Sequence, residues 1–211
     1  MAKGSELGEF DLEQFMNQAD SSEHLPASAE WNSTVQIIFA IDASNSMQGF
    51  KIGAVNDSVN NVLSKLKSVN KSTAGNRIEV AVIGFASRLF RWTKGFVPVN
   101  EFKFSYVEMV DGLTDMKAML NELIELTNHS IDDTAKKYVI LYSDGLSTVD
   151  YCEDLRKWAE TEQYKSIKKI LVAFEDDLED QQSFEFFKSF IDNGEIIPIT
   201  DMGKLLTAIL D

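Results

Sequence analysis

Short apolar segments alternate with amphipathic ones from residue 34 to the end of the chain. Residues 35–41 form a nearly continuous run of β-branched and aliphatic side chains, which is typical of a strand buried on both faces. A polar turn follows, and apolar residues spaced three and four apart in residues 52–66 then predict an amphipathic helix. The opening of this region is therefore a β-turn-α unit.

The same alternation predicts the remaining elements. Further strands are expected at residues 78–85, 88–96, 138–142, 170–174 and 196–199, and further helices at residues 116–124, 155–159, 184–191 and 205–210. Strands that alternate with helices indicate a largely parallel sheet covered on both faces. We expect a three-layer, Rossmann-like, doubly wound α/β fold. Its six-stranded, mostly parallel sheet would have one antiparallel edge strand, at residues 88–96.

Residues 1–33 differ in composition from the rest of the chain. They combine Ser, Glu, Gly, Asn and Asp with few aliphatic side chains, and residues 4–10 resemble a vector-derived linker. We expect residues 1–33 to be a flexible N-terminal tail and residues 34–211 to form one folded domain.

Composition narrows the class of protein. The single cysteine, Cys152, cannot form an internal disulfide, which favours a reducing compartment. The longest apolar run, about seven residues, is far shorter than the roughly 20 that cross a bilayer. The net charge of −14 repels phosphate backbones and anionic lipids. We expect a cytoplasmic protein, monomeric by itself, that binds neither nucleic acid nor membrane.

Three separate segments place polar side chains at one edge of the predicted sheet. Asp42, Ser44 and Ser46 follow the first strand, Thr114 precedes the helix at 116–124, and Asp144 follows the strand at 138–142. Each piece alone matches an ordinary turn or helix cap. Because ligands of such folds bind beyond the carboxyl ends of the strands, the coincidence of place favours a shared site.

Oxygen is the only ligand atom that these five side chains offer. Such a donor set suits a hard divalent cation, Mg²⁺ first, with Mn²⁺ and Ca²⁺ as alternatives. Two carboxylates would neutralise the ion, and three hydroxyls would leave it able to accept one more oxygen. The expected occupant of that open position is an Asp or Glu carboxylate of a partner protein.

These motifs resemble the von Willebrand factor A domains. The metal-ion-dependent adhesion site of that family uses D-x-S-x-S, a threonine in a later loop and an aspartate in a D-G turn. The resemblance covers residues 34–211, and the strings at 42–49, 112–114 and 143–145 look like those of bacterial TerY-type members, which are associated with tellurium-resistance and stress gene clusters. It implies five metal ligands, direct or through water: Asp42, Ser44, Ser46, Thr114 and Asp144.

The resemblance also implies a function. It favours a non-enzymatic, metal-dependent protein-interaction module in a bacterial stress-response or signalling complex. Kinase-like or phosphatase-like signalling proteins would be its partners.

Three positions depart from the family pattern. Asn45 stands where glycine is common, Leu113 replaces the small residue usual before the threonine, and Ser147 stands where TerY-type members often have proline. Asparagine tolerates a positive φ, so the first turn can be kept. The departures bear on the identity of the partner more than on metal binding.

Two other interpretations remain open. A metal-dependent hydrolase or phosphatase would use the same crevice, but the chain has no G-x-x-x-x-G-K-[ST] loop and no G-x-S-x-G elbow. Ser44 also stands where an aspartyl phosphotransferase of the D-x-D type would need a second Asp. In the other interpretation, the ion is purely structural.

An acidic run at residues 175–180 follows the strand at 170–174. Such a run is typical of a solvated loop. If it flanks the ion together with Asp111, Asp115 and Asp150, the rim is negative, and Lys or Arg of a partner would match it.

Overall fold

The computed structural model describes residues 34–72, 77–108, 112–128, 134–145, 147–148, 150–179, 181–191 and 194–210. The expected tail, residues 1–33, lies outside the described residues, as does Asp111. The strands are β1 (Thr34–Asp42), β2 (Arg77–Phe85), β3 (Leu89–Arg91), β4 (Val97–Pro98), β5 (Lys136–Tyr142), β6 (Ile167–Ala173) and β7 (Glu195–Pro198). The helices are α1 (Phe50–Ser72), α2 (Met116–Asn128), α3 (Cys152–Ala159), α4 (Glu162–Ser166), α5 (Glu175–Glu179), α6 (Gln181–Ile191) and α7 (Met202–Leu210).

The strands form one mixed sheet in the order β3-β2-β1-β5-β6-β7, and β4 pairs with β2 outside this path. β1, β2, β5, β6 and β7 are parallel, whereas β3 and β4 run antiparallel to β2. The predicted Rossmann-like α/β class is confirmed. None of the described helices combines the length and the apolar character that a bilayer crossing needs.

The antiparallel edge differs from the prediction in one detail. The strand expected at 88–96 is only the three residues of β3, and β4 follows just beyond that range at Val97–Pro98, so the described sheet has seven strands where six were expected. Between them, Trp92 N donates to Val82 O at 3.0 Å, but Val82 N donates to the side-chain Oγ1 of Thr93 at 3.1 Å. A side-chain oxygen thus takes the place of a backbone carbonyl, and regular pairing ends there.

The centre of the sheet follows from the apolar pattern. Every residue of β1 except the first is buried, because β1 lies between β2 and β5 and both of its faces are covered. The buried face of α1 carries the side chains spaced three and four apart: Val55, Val59, Val62, Leu63 and Leu66. β1 and β5 are neighbours and end at Asp42 and Tyr142. The residues that follow them therefore share one edge of the sheet.

The acidic run, where a solvated loop was expected, is a short helix none of whose residues is buried. Residues Glu175–Glu179 form α5, and Asp177 N donates to Phe174 O at 3.1 Å. Three acidic residues lie in its first turn, where negative side chains interact favourably with the positive end of the helix dipole. This interaction favours a helix in spite of the charge of the run.

Candidate metal-binding site

Asp42 is the buried carboxylate at the end of β1. Its Oδ1 accepts a hydrogen bond from Ser44 N at 2.9 Å, and its Oδ2 accepts one from Ser143 Oγ at 2.8 Å. Burial raises the pKa of Asp42 to about 6, although the hydrogen bonds from Ser44 and Ser143 oppose the rise. An ionised carboxylate here is poorly solvated, so a nearby cation would stabilise it.

The serines of the first motif lie directly beyond Asp42. Ser44 is buried and Ser46 is exposed, and their Oγ atoms are 3.0 Å apart. The short 3-10 helix Asn45–Met47 carries Ser46, and its Met47 side chain is buried in the core. Asp42, Ser44 and Ser46 therefore present their oxygens from one anchored loop.

The second loop carries Thr114, which is buried. It is fastened to the first loop because Asn45 N donates to Gly112 O, and Gly112 N donates to Asn45 Oδ1, both at 3.3 Å. The tolerance of asparagine for a positive φ is not what this position uses, because 3-10 residues have negative φ. Asn45 instead ties two site loops together, a role that its sequence position did not indicate.

The third loop carries Asp144, which is buried directly after β5. Gly145 follows with a φ of 81°, and a side chain there would approach the Phe187 ring to 2.8 Å, so the turn requires glycine. Thr148 donates to Thr114 O from both its N and its Oγ1, each at 3.1 Å. These bonds tie the third loop to the second.

The structure thus places all five predicted side chains in three loops that are hydrogen-bonded to one another. Asp144 lies close enough to Asp42 for its charge to contribute to the raised pKa of Asp42. Two carboxylates that repel each other in a buried place favour an added cation.

Lys51, in the first turn of α1, was missed by the sequence analysis. Its Nζ donates to Asp177 Oδ1 at 2.6 Å and lies 3.5 Å from Asp144 Oδ2. It also lies 5.4 Å from the centre of the Phe174 ring. Burial raises the pKa of Asp177, and the hydrogen bond from Lys51 opposes the rise. One sequence feature could have indicated it: a lysine in the first turn of a predicted helix is unfavourable unless negative side chains face it.

Three carboxylates of the acidic rim are engaged in contacts within the chain. Asp115 Oδ1 accepts from Ala118 N at 2.9 Å and so caps α2, and Asp150 Oδ1 accepts from Cys152 N at 3.0 Å in the turn before α3. Asp177 pairs with Lys51. Asp176 is exposed and remains available to a partner.

Two large apolar side chains next to the site face solvent. Phe50 is 82% exposed and follows the first loop directly, and Leu113 is 63% exposed and precedes Thr114. Single exposed apolar side chains are common on protein surfaces, so it is the position of these two beside the site loops that makes them candidate contacts for a partner.

The donor set fits a hard cation. Within the described part of the chain, no three His, Cys, Asp or Glu residues cluster as metal ligands. The site therefore depends on two carboxylates and three hydroxyls, and oxygen ligands of this kind suit Mg²⁺. None of the five side chains is a histidine or a cysteine, the usual ligands of zinc.

Comparison with known proteins identifies the fold. The model of the von Willebrand factor type A domain matches residues 36–186. Similar structures include the pilus adhesin SpaC from Lactobacillus rhamnosus GG in its open conformation, at 15% identity and a TM-score of 0.59. A second similar structure is the ArnB paralog VWA2 from Sulfolobus acidocaldarius, with 19% sequence identity and a TM-score of 0.57. A third is the SpRpn10 VWA domain, with 10% sequence identity and a TM-score of 0.57.

Each of these alignments covers 84% of this chain. The aligned region makes up 30% of the adhesin chain, 44% of the VWA2 chain and 97% of the SpRpn10 domain. No curated protein sequence matches the chain. At these identities the similarity shows the fold and not the ligand of the site.

Proposed function

The chain belongs to the von Willebrand factor type A domain family, and from this premise we propose that it is a metal-dependent module that binds a carboxylate of a partner protein. Domains of this family commonly mediate protein–protein interaction. Mg²⁺ is the proposed ion, with Mn²⁺ and Ca²⁺ as alternatives. Five residues would hold it, directly or through water: Asp42, Ser44, Ser46, Thr114 and Asp144.

The observation that carries this proposal is the bonding of the three site loops around two buried carboxylates. The Asn45–Gly112 pair joins the first loop to the second, and Thr148 joins the third to the second. Because five oxygen donors lie on loops that hold one another, the site is largely formed before a ligand arrives. When bound, the ion supplies an electrophilic position for a carboxylate oxygen.

The exposed side chains beside the site describe the partner further. Phe50 and Leu113 would lose water against apolar groups of the partner, which is where interfaces gain most of their affinity. We therefore propose a partner segment in which an Asp or Glu lies next to apolar side chains. Lys or Arg nearby would face Asp176.

The cellular setting is also part of the proposal. A cytoplasmic location and a bacterial stress-response or signalling complex, with kinase-like or phosphatase-like partners, are supported by the resemblance to TerY-type members. The chain spans less than half of the two longer structures that it matches. Any further domains of such proteins would add their own partners.

Calorimetric titration with Mg²⁺ and Mn²⁺ tests the metal. Wild-type protein should release or absorb heat at one site, and Asp42→Ala should bind at least about tenfold more weakly, since one of two carboxylate ligands is lost. Asp57→Ala makes the same change of charge on the exposed face of α1 and should bind like wild type. If wild type binds neither ion, the metal dependence is wrong.

Affinity purification tests the interaction. A partner should be retained in Mg²⁺ and lost both in EDTA and with Asp42→Ala. Leu113→Ser should keep its affinity for the ion but retain less partner, because it removes apolar contact alone. Retention that is equal in EDTA and Mg²⁺ would contradict the proposal, and metal-dependent hydrolysis of a generic phosphoester would favour the hydrolase instead.

A further inference from the structure

Lys51 places a positive charge inside the candidate metal site. Its Nζ lies between two carboxylates from different elements, 2.6 Å from Asp177 Oδ1 on α5 and 3.5 Å from Asp144 Oδ2 after β5. The side chain of Asp144 is 2% exposed and that of Asp177 is 13% exposed. The ammonium group is thus in contact with one of the five proposed metal ligands.

This arrangement differs from an ordinary surface ion pair. Exposed pairs contribute about 0–1 kcal/mol, because water solvates both partners and salt screens them. Here both carboxylates are largely buried, and the lysine lies in the first turn of a helix, where a cation is disfavoured. The Phe174 ring near the ammonium group excludes water from one side of it. The two carboxylates must therefore offset a real cost, and Lys51 supplies a counter-charge to both of them.

We propose that Lys51 is an internal cation of the site, which neutralises Asp144 when no divalent ion is bound and is held by Asp177 when one is. This inference rests on the proposed function. Lys51 competes with the divalent ion for Asp144, so it lowers the cation affinity of the site and maintains the metal-free fold. It also makes α5 the element that receives the displaced charge.

Asp177 is equipped for that role. Its Oδ1 already makes the shorter of the two contacts with Lys51. Its Oδ2 is buried and accepts no hydrogen bond from any described residue, so the carboxylate has acceptor capacity to spare. A divalent ion beside Asp144 would repel the ammonium group toward Asp177, and the displacement needs rotation of the lysine side chain only.

The test compares Lys51→Met with Lys65→Met in the full chain. Methionine keeps the length and apolar stem of lysine and removes its charge. Lys65 is exposed on the same helix, about 21 Å further along it at 1.5 Å per residue, so its variant has the same net charge without touching the site. The readouts are the dissociation constants of Mg²⁺ and Mn²⁺ by calorimetry and the melting temperature in EDTA.

We expect Lys51→Met to bind both ions on the order of tenfold more tightly than wild type, because the competing charge is gone. In EDTA it should melt at a lower temperature than wild type, and saturating Mg²⁺ should abolish that difference. Lys65→Met should match wild type in both respects. Lys51→Gln, which can still hydrogen-bond to Asp177, should show the same tighter binding. It replaces Lys51→Met in the comparison if the methionine variant does not fold.

The outcomes separate this inference from the proposed function. If wild type binds the ion and both lysine variants bind it equally, Lys51 does not compete and the inference is wrong, although the metal site stands. If wild type binds no ion but Lys51→Met does, competition is supported and the lysine is the resident cation of the native site. If neither binds, the inference and the metal site both fail.

Discussion

Ser143 connects the two buried carboxylates of the site. Its hydroxyl donates to Asp42 Oδ2 at 2.8 Å and accepts from Gly145 N at 3.0 Å, so one side chain ties the end of β1 to the turn that carries Asp144. Ser143 is fully buried, and water cannot easily replace it there. It is therefore a positioning residue, although no sequence motif distinguishes it from the D-G turn beside it.

Ser143→Ala should destabilise the protein through that lost hydroxyl. A buried carboxylate oxygen and a backbone amide would each lose a partner, which costs about 1–3 kcal/mol of unfolding free energy. Urea unfolding in EDTA measures the change without a contribution from bound metal. Ser64→Ala is the matched control, since Ser64 donates to Asn60 O at 2.8 Å on an exposed face of α1. Equal changes in the two variants would mean that the Asp42 contact contributes nothing.

Residues with a local sequence signal were predictable, and residues defined by distant contacts were not. Asp42, Ser44 and Ser46 form one short string, and Asp144 lies in a D-G turn, so the strand pattern alone placed them at one edge. The contact of Ser143 with Asp42 spans 101 residues, and that of Lys51 with Asp177 spans 126. No local pattern encodes such contacts, because the first depends on β1 and β5 being neighbours in the sheet and the second on α1 and α5 lying next to each other.

Elements were predictable in proportion to their length. The nine residues of β1 and the 23 of α1 repeat an apolar pattern often enough to identify it. The five residues of α5 include none that is buried, so no periodicity marks that helix, and its charge suggested a loop. The sequence pattern also did not predict the interruption of the antiparallel edge. Thr93 accepts the hydrogen bond of Val82 N with its side chain in place of a backbone carbonyl, and as a β-branched residue it still fits a strand pattern.

The edge strand β3 is held to α2 by a forked ion pair. The Arg91 Nε and Nη2 atoms donate to the two carboxylate oxygens of Glu122, and Glu122 is 6% exposed. Hydrogen bonding to Glu122 raises the pKa of the Arg91 guanidinium. Since α2 begins two residues after Thr114, this pair also fixes the helix that follows the second site loop.

Arg91→Met should weaken both the fold and that edge. It leaves the Glu122 carboxylate buried without its cation, and we expect a loss of about 1–3 kcal/mol, below the 3–5 kcal/mol of a fully buried pair because Arg91 is half exposed. Urea unfolding measures the loss, and backbone amides of β3 should exchange faster with solvent. Arg88→Met, at an exposed arginine three residues earlier, should change stability by less than about 0.5 kcal/mol. An equal effect of both variants would assign the loss to charge alone.

The charge of the whole molecule acts on cation and partner in opposite senses. A net charge of −14 raises the local concentration of divalent cations and repels a carboxylate at long range. A partner acid can therefore approach only if the bound ion and nearby basic side chains compensate for that repulsion. Salt should slow the arrival of a partner whose basic residues face Asp176, whereas apolar contact at Phe50 and Leu113 is insensitive to screening.

Removal of the cation should shift the stability of the whole domain without unfolding it. A ligand that binds the folded state alone, at 100 times its dissociation constant, stabilises it by about 2.7 kcal/mol. For a domain of this size, each kcal/mol shifts the melting temperature by about 2–4 °C, so Mg²⁺ should raise it by about 5–10 °C over EDTA. The effect is reversible, and far-ultraviolet circular dichroism in EDTA should remain that of the folded α/β protein because the core of the sheet does not depend on the site.

Two variants control for the site. Asp42→Ala should show no shift of the melting temperature with Mg²⁺, while Asp57→Ala should keep it. If the protein unfolds completely in EDTA at room temperature, the ion is structural. If the melting curves in Mg²⁺ and EDTA are identical, the folded domain does not bind the cation.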